Sequence, residues 1–305
     1  IILQVCYKLS MRCALDQKER MKNTNHSLFD KYEMIKDLGT GSSGSVTLVR
    51  HISMDQERAL KKVPKASAFA ESALSEARLL KSLEHPSIPR IFDFEEDNAF
   101  YYIVEEYIDG ETLDSFLLHQ QLISPGLFFN ICEQLCNVFI YLHTQISTPI
   151  IYRDLKPEHI IVCHNKLKLI DFGVSAYVIQ DGNNFNHYGN IEFSAPECFT
   201  EDTITPAADI YSLGQLLQYI LTFTPDSFSH KFQHIIQKAT TSDASLRYVT
   251  VAELYQEIQE IQKLTGQPHL IHKIAVLGSH RGCGSTTWPF HSPANSISLD
   301  IMVST

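Results

Sequence analysis

The segment Tyr152-Arg153-Asp154-Leu155-Lys156-Pro157-Glu158-His159 sets a carboxylate, an ammonium group and an imidazole within six consecutive positions, Asp154 to His159. Seventeen residues beyond Asp154 stands Asp171-Phe172-Gly173, followed by Ala195-Pro196-Glu197 and then Asp209-Ile210-Tyr211-Ser212-Leu213-Gly214. Each short run is common by chance, but their order and spacing together are not.

Upstream, Gly39-Thr40-Gly41-Ser42-Ser43-Gly44-Ser45-Val46 follows one strand-like run and opens another. Alone, G-x-G-x-x-G is a weak signal, because dinucleotide-binding folds use it too. Those folds need the last glycine to open a helix, whereas Ser45–Val49 is β-like. The pattern therefore favours a flexible hairpin over nucleotide phosphates, with glycines that admit close backbone approach. Lys61 follows on the third strand, in Ala59-Leu60-Lys61-Lys62. Strand alternation puts Lys61 and Lys62 on opposite faces, so only one of them looks into a cleft. Glu76, on the next helix, is the carboxylate placed to hold Lys61.

The periodicity predicts strands at Tyr32–Leu38, Ser45–His51, Arg58–Val63, Ile88–Glu95 and Ala99–Glu106. A helix over Ala68–Leu83 interrupts them, with Leu74, Ala77, Leu80 and Leu83 apolar at helical spacing and His85-Pro86 as its stop. After Asp109-Gly110 the pattern turns helical at 112–119, 125–146, 207–223, 229–240 and 250–263, with short β runs at 160–163 and 167–170. A β-rich N-terminal part followed by a helical part is an α+β arrangement.

Taken together, these motifs resemble the eukaryotic-type protein kinases, over residues 32–262, about three quarters of the chain. Lys156 within Asp-Leu-Lys-Pro-Glu resembles the serine/threonine class, and the compact style of the segment is bacterial-looking. The resemblance implies a two-lobed fold, a small β-rich N-lobe and a larger helical C-lobe, that uses ATP and Mg²⁺, with Mn²⁺ as an alternative. It implies that Leu38, Gly39, Thr40, Gly41, Ser42, Ser43, Gly44, Ser45, Val46 and Ala59 wrap the nucleotide. Glu106 and Ile108 would offer hinge backbone groups to the adenine, and Glu105 would be the gatekeeper, where an acid is unusual. Lys61, held by Glu76, would pair with the α- and β-phosphates, and Lys156 would steady the γ-phosphate. Asp154 would orient the substrate hydroxyl, and Asp171 with His159 would hold metal. Such a set suits phosphoryl transfer, which is mostly positioning and charge neutralisation. Leu80 would stack with Phe172 and Tyr152, Asp209 would brace the catalytic loop, and Glu197 with Arg247 would form a buried ion pair.

The chain departs from the family pattern at several points. His159 stands where the family has an Asn metal ligand, and imidazole suits softer metals than Mg²⁺. Tyr152 replaces a His, and Asn190 replaces a Thr. Residues 174–194 contain no threonine and only Ser175 and Ser194 as serines, so activation is expected not to depend on a phosphothreonine. From Asp209 to Arg247 is 38 residues, shorter than the family's stretch, which points to substrate recognition elsewhere or through a partner. The expected activity is phosphorylation of protein Ser/Thr hydroxyls. The alternative is a catalytically impaired pseudokinase that binds nucleotide and acts as a regulatory binding module.

Composition narrows the classes further. The chain of 305 residues has a formal net charge of −10 and 44% hydrophobic residues, so it commands a sizeable core. Residues 1–31 carry six basic and three acidic side chains, 263–305 three and one, and the middle 16 and 31. So acidic a middle argues against nucleic-acid binding. Seven cysteines at 6, 13, 132, 136, 163, 198 and 283 are odd in number and lack C-x-x-C spacing, which argues against a disulfide framework and a zinc site. No apolar run reaches membrane-spanning length, and a reducing cytoplasm is the expected compartment.

The two ends read differently from the middle. Residues 1–31 are expected to be an N-terminal extension, disordered or a non-native start, with Met11 or Met21 as natural beginnings. In the tail, 263–305, the run Lys273-Ile-Ala-Val-Leu-Gly278-Ser-His-Arg-Gly282-Cys-Gly284-Ser285-Thr286 resembles the start of a P-loop ATPase of the chromosome-partitioning type. The match is incomplete, since Ser285 stands at the phosphate-binding Lys and Ser279 at the first Gly. Pro289 and Pro293 then prevent the helix that should follow. A frameshift near Thr286 is expected to have truncated a second domain there.

Overall fold

The computed structural model describes residues 28–41, 44–145, 148–173, 175–177, 192–199 and 204–266. A short helix α1 (Leu28–Lys31) leads into strands β1 (Tyr32–Gly41), β2 (Gly44–His51) and β3 (Gln56–Pro64). Helix α2 (Ala70–Lys81) follows, then β4 (Ile91–Glu96) and β5 (Phe100–Glu106). The five strands make one antiparallel sheet in the order β1-β2-β3-β5-β4. Alternation gives it two buried faces. Val49, Leu60, Tyr102 and Val104 pack on one side against Leu28 and Tyr32. Val63 and Ile103 pack on the other against Ala73 and Ala77 of α2.

Residues 28–31, which the sequence placed with the N-terminal extension, are docked on this sheet. Leu28 is buried, and Lys31 Nζ bridges Asp93 at 2.9 Å and Glu95 at 2.8 Å. β4 starts at Ile91 instead of Ile88. Pro89 has no N–H for a ladder, and the Ile88 N–H closes a turn on the His85 carbonyl at 3.0 Å.

The rest is helical with small β pieces. In chain order these are β6 (Glu111–Thr112), α3 (Leu113–Gln120), α4 (Pro125–Ile140), β7 (Ile150–Ile151), β8 (Ile160–Cys163), β9 (Lys166–Leu169) and β10 (Ala176–Tyr177). They are followed by α5 (Ala207–Leu221), α6 (Asp226–Ser229), α7 (Gln233–Ala239) and α8 (Val251–Leu264). Side-chain caps fix three of the starts: Thr112, Ser124 and Thr250 each accept an N–H from the first turn of α3, α4 and α8. The predicted helix 125–146 ends its α-helical course at Ile140 and finishes as a π-turn over Tyr141–Gln145. The predicted helix 229–240 is a helical run broken at His230–Phe232 by a 3-10 turn.

α5 is apolar nearly all round, with Ile210, Leu213, Leu216, Leu217 and Ile220 buried, as befits a helix at the centre of a domain. Phe128, Phe129, Phe228 and Phe232 form an aromatic cluster with mainly edge-to-face contacts against α4. Cys132 and Cys136 lie in this same core, and burial pushes both thiols up, so they act as small hydrophobes. No described helix is long and apolar enough to cross a membrane.

Candidate active site

The site is built on Asp209, which opens α5 and is fully buried. A negative charge is favoured there by the helix N-terminus. Its Oδ2 accepts the Tyr152 N–H at 2.8 Å, and its Oδ1 accepts the Arg153 N–H at 2.9 Å. His143 Nε2 adds a third contact at 2.8 Å to Oδ2. One carboxylate thus pins two consecutive backbone amides of the loop. That loop needs pinning, because Arg153 is left-handed at φ 74°, a conformation that costs a non-glycine residue about 1 kcal/mol or more; Asp171, on a separate turn, is left-handed too, at φ 62°.

Asp154, Lys156, His159 and Asp171 converge beside this anchor. Lys156 Nζ lies 3.3 Å from Asp154 Oδ2. His159 Nδ1 is 3.0 Å from the Asp154 carbonyl oxygen, while its Nε2 is 3.5 Å from Asp171 Oδ2. A carbonyl can only accept, so Nδ1 carries the proton in that bond, and Nε2 is the ring nitrogen that faces Asp171. Tyr152, expected from the resemblance to stack with Leu80, does more than pack. Its hydroxyl donates to the Ile170 carbonyl, and its ring meets Phe172 edge-on with centroids 5.1 Å apart. Leu80 belongs to the same buried cluster as both rings.

The N-terminal part supplies the cation. Lys61 Nζ bonds Glu76 Oε2 at 2.6 Å, and Glu76 Oε1 accepts the Phe172 N–H at 3.1 Å. Burial alone would lower the Lys61 pKa, but the Glu76 pair outweighs it and the net shift is upward. Sheet register places Ala59 opposite Glu105 and Lys61 opposite Ile103, so Ala59, Lys61 and Glu105 share one face. Glu105 feels Glu76, Lys61 and Asp171; burial first, then the Glu76 charge, push its carboxyl up to about 7.

The glycine hairpin is β1 turning into β2, with Gly39 opposite Val46 and Gly41 opposite Gly44. Gly44 has φ 143°, and a Cβ there would stand 2.2 Å from the Lys62 carbonyl oxygen. Only glycine fits that approach. Ser42 and Ser43 lie outside the described residues, as does Asn190. At the hinge, the Glu106 N–H is already given to the Arg90 carbonyl at 2.9 Å. Its side chain turns away to Lys168, 2.7 Å distant. The Ile108 N–H follows two residues further along the same connection. Gly110 ends this connection, where a Cβ would meet the Val162 carbonyl at 2.4 Å.

The Glu197–Arg247 pair is buried and two-pronged, with Nη2 to Oε2 at 2.8 Å. Arg247 also donates to the carbonyls of Thr241, Ala207 and Ser242. Sequence reasoning missed His143, whose signal was only one histidine in an apolar helix, and the Glu106–Lys168 link. Among the described residues no group of three or more His, Cys, Asp or Glu side chains is placed to hold a metal.

Comparison with known proteins follows the same lines as this geometry. The family model described as the protein kinase domain matches residues 32–280. The chain is 28% identical over 264 residues to the serine/threonine-protein kinase PrkC of Bacillus subtilis, covering 75% of this chain and 40% of that protein. It is 28% identical over 297 residues to calcium-dependent protein kinase 4 of Plasmodium falciparum, covering 92% and 54%. With the serine/threonine-protein kinase PknB of Mycobacterium tuberculosis it shares 27% over 284 residues, covering 80% and 45%. The chain thus spans about half or less of the length of these curated relatives.

Proposed function

Because the chain belongs to the protein kinase domain family, we propose that it transfers the γ-phosphate of ATP to serine or threonine hydroxyls of a protein substrate. The observation that carries this reading is the joint placement of Lys61 with Glu76 and of Asp154 with Lys156, His159 and Asp171. Two cations and two carboxylates around one cleft are what a triphosphate needs for neutralisation and alignment.

In this reading Lys61, its ammonium kept charged by Glu76, binds the α- and β-phosphates. Asp154 accepts a hydrogen bond from the substrate hydroxyl and takes its proton as the oxygen attacks. Lys156, beside Asp154, balances the charge on the transferred group. The glycine hairpin covers the phosphates, and the Glu106 carbonyl and Ile108 N–H receive the adenine. A divalent metal would be held by Asp171 and His159 Nε2. This two-donor set fits a nucleotide-bound ion, which fills its remaining positions with phosphate oxygens and water. Bound there, it would neutralise charge on the phosphates.

The test is transfer from labelled ATP to a generic protein substrate, by the wild type and by Asp154→Asn. Loss of transfer in the variant supports the reading. A second reading, a nucleotide-binding module without transfer, is favoured by His159 standing where the family has Asn. Wild-type protein that binds ATP but transfers nothing would establish it.

The remaining proposals rest on the sequence alone: residues 32–262 as the working domain, a cytoplasmic setting, no nucleic-acid partner, and a P-loop ATPase remnant in the tail. That tail segment, 273–286, lies outside the described residues.

A further inference from the structure

α2 presents one face to the Asp171-Phe172-Gly173 turn through residues spaced four apart, which a helix stacks on one side. Leu80 shares the buried cluster with Phe172, and Glu76 Oε1 accepts the Phe172 N–H at 3.1 Å. One turn earlier, the Ser72 hydroxyl donates to the Gly173 carbonyl at 2.6 Å. A serine in the first turn of a helix ordinarily serves the helix itself, by capping free N–H groups. α2 has no side-chain cap at Phe69, yet Ser72 spends its hydroxyl on a residue 101 positions away.

The turn it reaches is the strained one. Asp171 is left-handed, and contacts on both sides hold it there. Before it, the Ile170 N–H bonds the His159 carbonyl at 2.8 Å, and the Ile170 carbonyl accepts the Tyr152 hydroxyl. After it come the Glu76 contact to Phe172 and the Ser72 contact to Gly173. Ser72 is the link that ties the far end of the turn to α2.

We propose that Ser72 is a positioning residue: its bond to Gly173 holds the Asp171 carboxylate in the geometry that receives a metal–nucleotide complex. This rests on the kinase reading above. Ser72 touches neither substrate nor reacting atoms and acts through Asp171.

The test uses the full chain with Ser72→Ala and Ser72→Thr. Three quantities are measured: Mn²⁺ affinity in the presence of a non-hydrolysable ATP analogue, nucleotide affinity without metal, and amide hydrogen exchange of 171–175 in metal-free protein. One neutral hydrogen bond corresponds to about a fivefold effect. Ser72→Ala is therefore expected to weaken Mn²⁺ binding about fivefold, to speed exchange at 171–175 by a similar factor, and to leave metal-free nucleotide affinity unchanged. Ser72→Thr, which keeps the hydroxyl, is expected to stay within about twofold of the wild type. Wild-type Mn²⁺ affinity in Ser72→Ala overturns the inference, and so does a Ser72→Thr that binds Mn²⁺ as poorly as Ser72→Ala. If Ser72→Ala fails to fold, Ser72→Thr decides: wild-type Mn²⁺ affinity and exchange support the inference, and their loss overturns it. A wild type that binds no metal–nucleotide complex overturns the kinase reading, and this inference with it.

Discussion

His159 Nε2 lies 3.5 Å from Asp171 Oδ2, with the other ring nitrogen tied to the Asp154 carbonyl at 3.0 Å. One ring nitrogen is thereby held by the loop backbone and the other stands beside a carboxylate, a nitrogen–oxygen pair for the metal of the proposed site. Such a mixed set favours transition metals over Mg²⁺ relative to an all-oxygen site. The wild type is expected to transfer phosphate better with Mn²⁺ than with Mg²⁺ at equal concentration. His159→Asn should move that ratio towards Mg²⁺ by about tenfold, the size of effect seen when a ligand's surroundings change. Parallel kcat/KM measurements with both metals check it, and an unchanged ratio would remove His159 from the metal site.

Lys61→Met is expected to cut phosphate transfer by about 10²–10³, the cost of removing one preorganised charge from a transition state. Glu76→Gln should lower transfer less, because Lys61 keeps its charge but loses its 2.6 Å partner. Steady-state kinetics on both variants provide the comparison, and equal losses would mean that the Glu76 charge matters as much as Lys61 itself.

Glu105 makes a pH prediction whose sign is set by direction. Its carboxyl is raised to about 7 in the fold from an ordinary value of 4.5. The folded state thus holds a proton that the unfolded chain has released, and stability from this group is full below 4.5. It is lost as pH rises to about 7, by on the order of 3 kcal/mol. Lys61, Glu76 and Asp171 face the same space. Glu105→Gln should therefore raise the melting temperature at pH 8 more than at pH 5. Equal shifts at the two pH values would show that Glu105 is not the titrating group.

Arg247→Met leaves Glu197 buried without its partner, a loss of about 3–5 kcal/mol for such pairs. A melting temperature lower by roughly 10 °C is expected for a domain of this size. Thermal unfolding followed by circular dichroism measures it. A fall of only a degree or two would place the pair among marginal surface contacts.

Much of the proposed site is legible along the chain, because the proposed transfer from a triphosphate demands particular functional groups in a particular order. Lys61, Glu76, Asp154, Lys156 and Asp171 announce themselves by residue type and motif. The strands and helices follow from periodicity, with errors where a proline or a turn decides, as at Pro89 and at His230–Phe232.

Other features only the folded chain could settle. The family resemblance marks Glu105 as an unusual acid, but only the register sets it on the face of Lys61. His143 becomes part of the loop anchor only through Asp209, 66 residues away. Ser72 reads as a helix-start serine until Gly173 is brought to it. In each case the partner lies far off in sequence, and no local pattern carries information about which buried polar groups will meet. Burial then makes the meeting matter, since a polar group taken out of water must find a partner or change its charge.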